Sequence, residues 1–396
     1  MVLLEDPVRD YAWGSHHVLA ELQGRPAPTD RPEAELWVGT HPAAPSRVRD
    51  DGRLLAELLV AEPRRLLGSG VVGRFGEDLP FLLKVLAIAA PLSLQAHPDD
   101  DQARAGFADE EARGILRDAP ERTYRDASAK PELLVALSPV TALCGLRPAA
   151  ATAELLASLG TPQLDEVVAI LATGDDALPL ALRRLLTWPV DERGELVAAF
   201  ARGADHVDDP ARARWLRRLA ELHPADPGVV VAAFLHLVEL APGEAIHLPA
   251  GELHAYLEGT GVEVMATSDN VLRGGLTDKH VDVDGLLGVL TGRPSEPPRV
   301  APCPGVPGEQ VYPTPTPAFR LSRLAPGDGE VVLDERGVQL LLVTDGEVRV
   351  HAGSTVTRVG RGRSALVAAT AGPVRITGRG TVFRATVGDE DADEHR

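Results

Sequence analysis

Cysteine is nearly absent from this chain: Cys144 and Cys303 are the only two in 396 residues, far apart and without C-x2-C spacing. A disulfide framework and a thiolate zinc site are thereby excluded. Long apolar runs are also missing, since none nears the roughly 18 residues that a membrane-spanning helix requires. The first residues, MVLLEDPVRD, lack a basic region leading into an apolar one, so a cytoplasmic protein is expected. Positive charge is in deficit, with a formal net charge of -18, which opposes general affinity for nucleic acid or an anionic membrane. No P-loop or dinucleotide fingerprint occurs, and no internal repeat beyond a possible pair of β units. Lysine is scarcer still. Of 40 basic residues only Lys84, Lys130 and Lys279 are Lys, and all three fall in the stretches singled out below. A compact, titratable ammonium is what Arg cannot imitate, so these three suggest substrate chemistry.

What is present is ample apolar content, 44%, over a length that implies two or three domains. The stretch PLSLQAHPDD, 91–100, reads as a strand ended by Pro98, and the alternation of a strand puts Gln95 and His97 on one face. A second stretch runs Gly243, Pro249, Gly251, His254, the spacing G-x5-P-x-G-x2-H, and AKPELL between the two offers Glu132. Any one of these histidines alone would be read as a hydrogen-bonded core residue. Jointly, two imidazoles, a carboxylate and an amide oxygen make an N/O set suited to Zn2+, with Mn2+, Co2+ or Fe2+ as other occupants.

Along the chain, Lys84 interrupts an apolar strand and therefore needs a buried partner or a wet cavity. The strand over ELWVGTHP carries Trp37 and ends at His41, whose place before Pro42 looks ligand-like but is better explained by packing and hydrogen bonding. Residues 148–222 show helical periodicity broken by Gly and Pro, an all-helical insertion expected to wall one side of the site. The segment after Glu263 holds Asp269, Asn270, Arg273, Asp278 and Lys279 in a charge-dense loop. Residues 291–317 are a Pro-rich connector, followed by about eight short strands with a turn at TDGE. His351, in that region, has no partners at ligand spacing. The acidic tail, 388–396, reads as disorder.

The G-x5-P-x-G-x2-H spacing resembles the second half of the cupin metal motif, with Q-x-H where the first half usually has H-x-H. Taken with YAWGS, ELWVGTHPAAPS, LKVL, KPELLVAL and VEVMATSDNVLRGGLTDKH, the chain resembles the zinc-dependent type I mannose-6-phosphate isomerases from Tyr11 to about Leu290. The resemblance implies a mainly β fold: a cupin or jelly-roll catalytic domain from 1–147 and 223–298, the helical insertion 148–222, and a C-terminal jelly-roll-like β domain, 299–387. It implies Gln95, His97, Glu132 and His254 as ligands of one Zn2+ per chain. Lys84, Lys130, Asp269 and Arg273 would be catalytic, with Glu263, Tyr256 and Lys279 binding substrate. The implied reaction interconverts mannose 6-phosphate and fructose 6-phosphate through a cis-enediol. A non-catalytic sugar-phosphate-binding cupin is the alternative, and a cupin oxygenase a weaker third. One departure stands out, because the family commonly has Asn-His before Lys-Pro-Glu and this chain has Ser128 and Ala129. The base must then come from elsewhere, and Lys130 is preferred to Asp269 and Glu263. A small sugar phosphate is the expected partner, and a monomer the expected state.

Overall fold

The computed structural model describes residues 1–388, and among these the chain forms two eleven-stranded antiparallel sheets. The acidic tail lies, apart from Gly388, outside the described residues.

Each sheet is organised on one long strand. In the first, His254–Ala266 pairs early in its length with Leu94–Ala96 and Val140–Leu146, and later with Phe81–Ile88 and Glu132–Ala136. The change of partners falls at Gly259, whose φ is +119° and whose added Cβ would meet Pro139 O at 2.4 Å. Only glycine lets the strand pass there. Two sheets sharing a bent strand are the jelly roll that the sequence led us to expect.

The second sheet repeats the device. Gln339–Ala352 pairs first with Gly380–Thr386 and Arg363–Val367, then with Thr355–Gly360 and Val374–Thr377. The turn expected at TDGE is instead a bulge inside this strand, with a register shift between Val343 and Asp345 and Gly346 at φ +67°. A bulge bends the strand from one set of partners to the next without reversing it.

Alternation explains how a lysine sits in an apolar strand. Leu83, Val85 and Ala87 pack with Leu133, Val135, Val262 and Val264 against Leu340, Leu342 and Phe383 of the second sheet. Lys84 and Leu86 fall on the opposite face, toward a cavity. Glu263 and Trp37 stand directly across from Lys84 on its two neighbouring strands.

Helices Ala149–Ser158, Leu178–Leu186, Arg193–Gly203 and Pro210–Leu222 bury Leu156, Leu182, Phe200 and Leu219 in one core with Leu94, Ala96, Leu143, Ala255 and Leu257. This helical layer therefore backs the strands that carry the Q-x-H stretch and His254. Asp209 caps the last of these helices, accepting from the Ala211 and Arg212 N–H groups, with Pro210 in the first turn. The first strand, Val2–Glu5, pairs with Arg363–Val367, so the start of the chain is sewn into the second sheet. No helix among the described residues is long and apolar enough to cross a membrane.

Candidate metal centre

Strand register brings the distant motifs together. His254 opens its long strand directly opposite Gln95, and Arg273 faces Gln95 from the other side. Arg273 is thus on a short strand, Leu272–Gly275, where the sequence suggested a loop. Glu132 opens the strand Glu132–Ala136. Ligand atoms of His97, Glu132 and His254 all lie within 4.8 Å of one another, and all three residues are buried.

Both imidazoles are oriented from behind. His97 Nδ1 is 2.7 Å from Asn270 O, and His254 Nδ1 is 2.9 Å from Glu252 O, so each donates there and turns the Nε2 lone pair inward. His97 Nε2 stands 3.3 Å from Glu132 Oε1 and His254 Nε2 stands 3.7 Å from Glu132 Oε2. Neither contact is aligned as a hydrogen bond, and His97 Nε2, His254 Nε2 and Glu132 Oε2 remain buried without a hydrogen-bond partner among the described residues. Burial lowers the pKa of His97, helped by the Lys130 charge, and burial with the neighbouring His97 lowers His254 to about 4. Burial works against ionised Glu132, but Lys130 and the imidazoles hold its carboxyl well below the usual range. Two neutral imidazoles and a carboxylate with orphaned atoms aimed at one point form a set that a divalent cation fits.

The centre lies beside a cavity of about 560 Å³. Its lining includes Lys84, Gln95, Lys130, Glu132, Tyr256, Glu263, Asp269, Arg273 and Lys279, so of the eleven residues picked from sequence only His97 and His254 are not on its wall. Lys84 Nζ is 3.6 Å from Glu35 and 3.5 Å from Glu263, and lies over the Trp37 ring. Burial disfavours its charge, yet those two acids and Glu132 raise its pKa above the ordinary value. Glu263 accepts from the Tyr256 hydroxyl at 3.3 Å. Burial, then the nearby Glu132 charge, raises the Glu263 pKa to about 7 against the pull of Lys84. Lys130 Nζ is 2.9 Å from Glu132 Oε1, which places its amine beside the metal ligands.

On the same cavity wall, the charges of Arg273 and Lys279 are felt by each other and by Arg125. Burial lowers the pKa of Arg273 and of Lys279, and charge repulsion within the trio adds to it. A partly buried cluster of like charge, in a chain with a net charge of -18, is a standing invitation to an anion. Arg125 escapes sequence reading because it is one arginine among many. Its loop is held by Asn270, whose Oδ1 accepts from the Arg125 and Asp126 N–H groups and whose Nδ2 donates to Asp126 O and Ser128 O. The backbone carbonyl of Asn270 also orients His97, so one buried residue ties the Arg125 loop to the metal ligands. Leu222 and His223 close the cavity from the helical side, as expected of that segment, although no arginine from it is on the wall. His41, read as structural, reaches Asp269.

The sequence model described as phosphomannose isomerase type I, catalytic domain, matches residues 1–149. The mannose-6-phosphate isomerase of Escherichia coli (strain K12) is 36% identical over 97% of this chain and 99% of its own length. That of Salmonella typhimurium is 34% identical over 97% of this chain and 99% of its own. Among solved structures, a zinc-bound mannose 6-phosphate isomerase superposes with a TM-score of 0.91 at 34% identity, covering 98% of this chain and 99% of that one.

Proposed function

The chain belongs to the type I phosphomannose isomerase family, and from that premise we infer that it interconverts mannose 6-phosphate and fructose 6-phosphate with zinc as its metal. The observation that carries this reading is what one cavity brings together: three buried ligand atoms without hydrogen bonds beside it, and mutually repelling cations, Arg273 and Lys279, on its wall. A sugar phosphate has the matching asymmetry, with hydroxyl and carbonyl oxygens at one end and a dianion at the other.

His97, Glu132 and His254 would hold the zinc, with Gln95 as a further ligand across the strand pair. When bound, zinc supplies Lewis acidity to the sugar oxygens beside it. The remaining work belongs to the chain. Arg273 and Lys279, with Arg125 behind them, clamp the phosphate, the guanidinium fork matching oxygen pairs. Lys130 moves the proton between C2 and C1, since its amine sits on the metal side of the cavity and Ala129 supplies no imidazole. Asp269 accepts a hydroxyl proton or hydrogen bond from the sugar. Lys84, clamped between Glu35 and Glu263, keeps positive charge beneath the enediolate as negative charge develops. Tyr256 holds Glu263 in place. Cupin-domain boundaries at 147, 222 and 298, a cytoplasmic location and a monomeric state complete the proposal. The large exposed apolar residues, such as Val60, Leu116, Leu180 and Val190, come from separate elements, which supports the monomer.

The test is turnover of mannose 6-phosphate, lost on chelation and restored by zinc, with Lys130→Arg assayed beside the wild type. The variant keeps the charge and loses the base, so turnover and solvent exchange of the C2 proton should fall together by about 100-fold or more while zinc stays bound. Binding of the sugar phosphate without turnover by the wild type would refute the isomerase reading. Unchanged exchange in the Arg variant would move the proton-transfer role to Asp269 or Glu263.

A further inference from the structure

His41 is almost wholly buried, 3% exposed, on the turn that follows strand Glu35–Val38. Its ring meets Trp37 edge-on, with centroids 4.8 Å apart. His41 Nδ1 accepts from the Ala43 N–H at 3.3 Å, which leaves the ring proton on Nε2. That nitrogen lies 3.2 Å from Asp269 Oδ1. The turn itself is pinned: Ser46 Oγ accepts from the Gly39 N–H at 3.0 Å and donates to the partly buried Asp6 at 2.7 Å. Asp269 is anchored by its own N–H, which donates to Asp126 Oδ2 at 2.8 Å, while its half-exposed carboxylate lines the cavity.

We propose that His41 is a positioning residue of the isomerase, a buried imidazole whose Nε2, 3.2 Å from Asp269, holds that carboxylate in the rotamer that meets the sugar. The inference rests on the isomerase reading and deepens it by adding a segment, the 39–46 turn, that does not line the cavity. An aspartate on a loop would otherwise sample several rotamers, and a displacement of about 1 Å in such a group costs on the order of 100-fold in rate. The groups facing Asp269 are His41 from its turn, Lys130 and Arg125 from the loop 125–130, and Asp126, which takes the backbone N–H. The contact with His41 is the largest influence that keeps the Asp269 pKa below the ordinary value, with partial burial opposing it and Lys130 and Arg125 assisting. Asp269 therefore stays ionised at neutral pH, and loss of His41 is felt as a misplaced carboxylate rather than a neutral one.

The experiment compares zinc-loaded wild type, His41→Ala, His41→Gln, Asp269→Ala and the Ala/Ala double variant, with kcat and KM measured at neutral pH. His41→Ala should lose about 10- to 100-fold in kcat. His41→Gln, whose amide can still donate, should recover most of the rate. The double variant should be no worse than Asp269→Ala alone. The inference is overturned if His41→Ala keeps the wild-type kcat, if the Gln and Ala variants are equally impaired, or if the two alanine effects multiply. Should His41→Ala fail to fold, His41→Gln placed in the Asp269→Ala background decides: any further loss there overturns the inference. A zinc-loaded wild type without turnover would overturn the isomerase reading and the inference together, which separates that failure from the others.

Discussion

The strands His254–Ala266 and Gln339–Ala352 do the same architectural work, each bending through two sets of partners, but the buried charges beside them are treated in opposite ways. Next to the first, His97 Nε2, Glu132 Oε2 and His254 Nε2 are left without hydrogen bonds. Beside the second, Arg384, 1% exposed, donates to Gln339 at 2.8 Å and to Glu335 at 2.9 Å, and lies 3.4 Å from Glu309. An unanswered buried polar atom costs free energy, so it persists where a ligand completes it, whereas an answered charge is structural. Jelly-roll geometry alone does not make a site; three unanswered ligand atoms converging within 4.8 Å mark the sheet that binds, whereas the unanswered Ser322 Oγ of the second sheet stands apart from any such group.

The comparison breaks most sharply at His97. His97→Ala should abolish zinc binding and reduce turnover by about 1,000-fold or more. It should cost the metal-free protein about 1–3 kcal/mol, because the ring also donates to the buried Asn270 O, and it should abolish the rise in midpoint that zinc gives the wild type. Metal content by atomic emission and urea midpoints with zinc and under chelation check both halves. A variant that keeps stoichiometric zinc, or whose midpoint zinc still raises as in wild type, would show that His97 is not a ligand.

The converse change lies in the second sheet. Arg384→Met removes the cation from Glu309, whose side chain is 7% exposed, and from the half-exposed Glu335. Breaking a buried pair from one side costs about 3–5 kcal/mol, so the denaturation midpoint should fall steeply. Zinc content and kcat of the folded fraction should stay as in wild type. A lowered kcat with an unmoved midpoint would contradict the division of labour.

How much of this was legible in the sequence follows from distance along the chain. Gln95 and His97 are two apart in a strand, and Gly243, Pro249, Gly251 and His254 lie within one turn-and-strand unit, so local periodicity places them. The three lysines stood out because this chain otherwise uses Arg. The helical layer was visible in its 3.6-residue pattern. By contrast, the contact of His41 with Asp269, the loop of Arg125 latched by Asn270, and the pairing of Val2–Glu5 with Arg363–Val367 join remote segments and leave no local trace. The charge-dense segment after Glu263 misled for a related reason: polar composition suggests loop, while the backbone of Leu272–Gly275 pairs with Leu94–Ala96 regardless of its side chains.

The smallest expected effect sits where the two sheets meet. Asp6 accepts from Ser46 Oγ, on the His41 turn, and from Ser364 Oγ, in the second sheet, so one partly buried carboxyl ties the site to its support. Burial raises its pKa from 3.8 to about 6, although both serines and the charges of Arg49 and Arg363 pull the other way. The folded state therefore keeps a proton that the unfolded chain has released, and the stability linked to it is complete below about 3.8 and lost as pH rises through about 6. A shift of this size corresponds to roughly 2–3 kcal/mol. Asp6→Asn cannot ionise, but it offers one acceptor oxygen where the carboxyl offers two, at a cost of about 1 kcal/mol. The variant should thus be slightly less stable than wild type at pH 4, where the wild type has lost little of this stability, and more stable by about 2 kcal/mol at pH 7.5, a crossing that urea midpoints at the two pH values would reveal. All other titrating groups are common to both proteins and cancel in the difference. Parallel stability profiles would mean that Asp6 gives up its proton in the folded protein as readily as in the unfolded chain, with the serines and arginines rather than burial deciding its charge, and the seam between the sheets would then be an answered charge like that of Arg384.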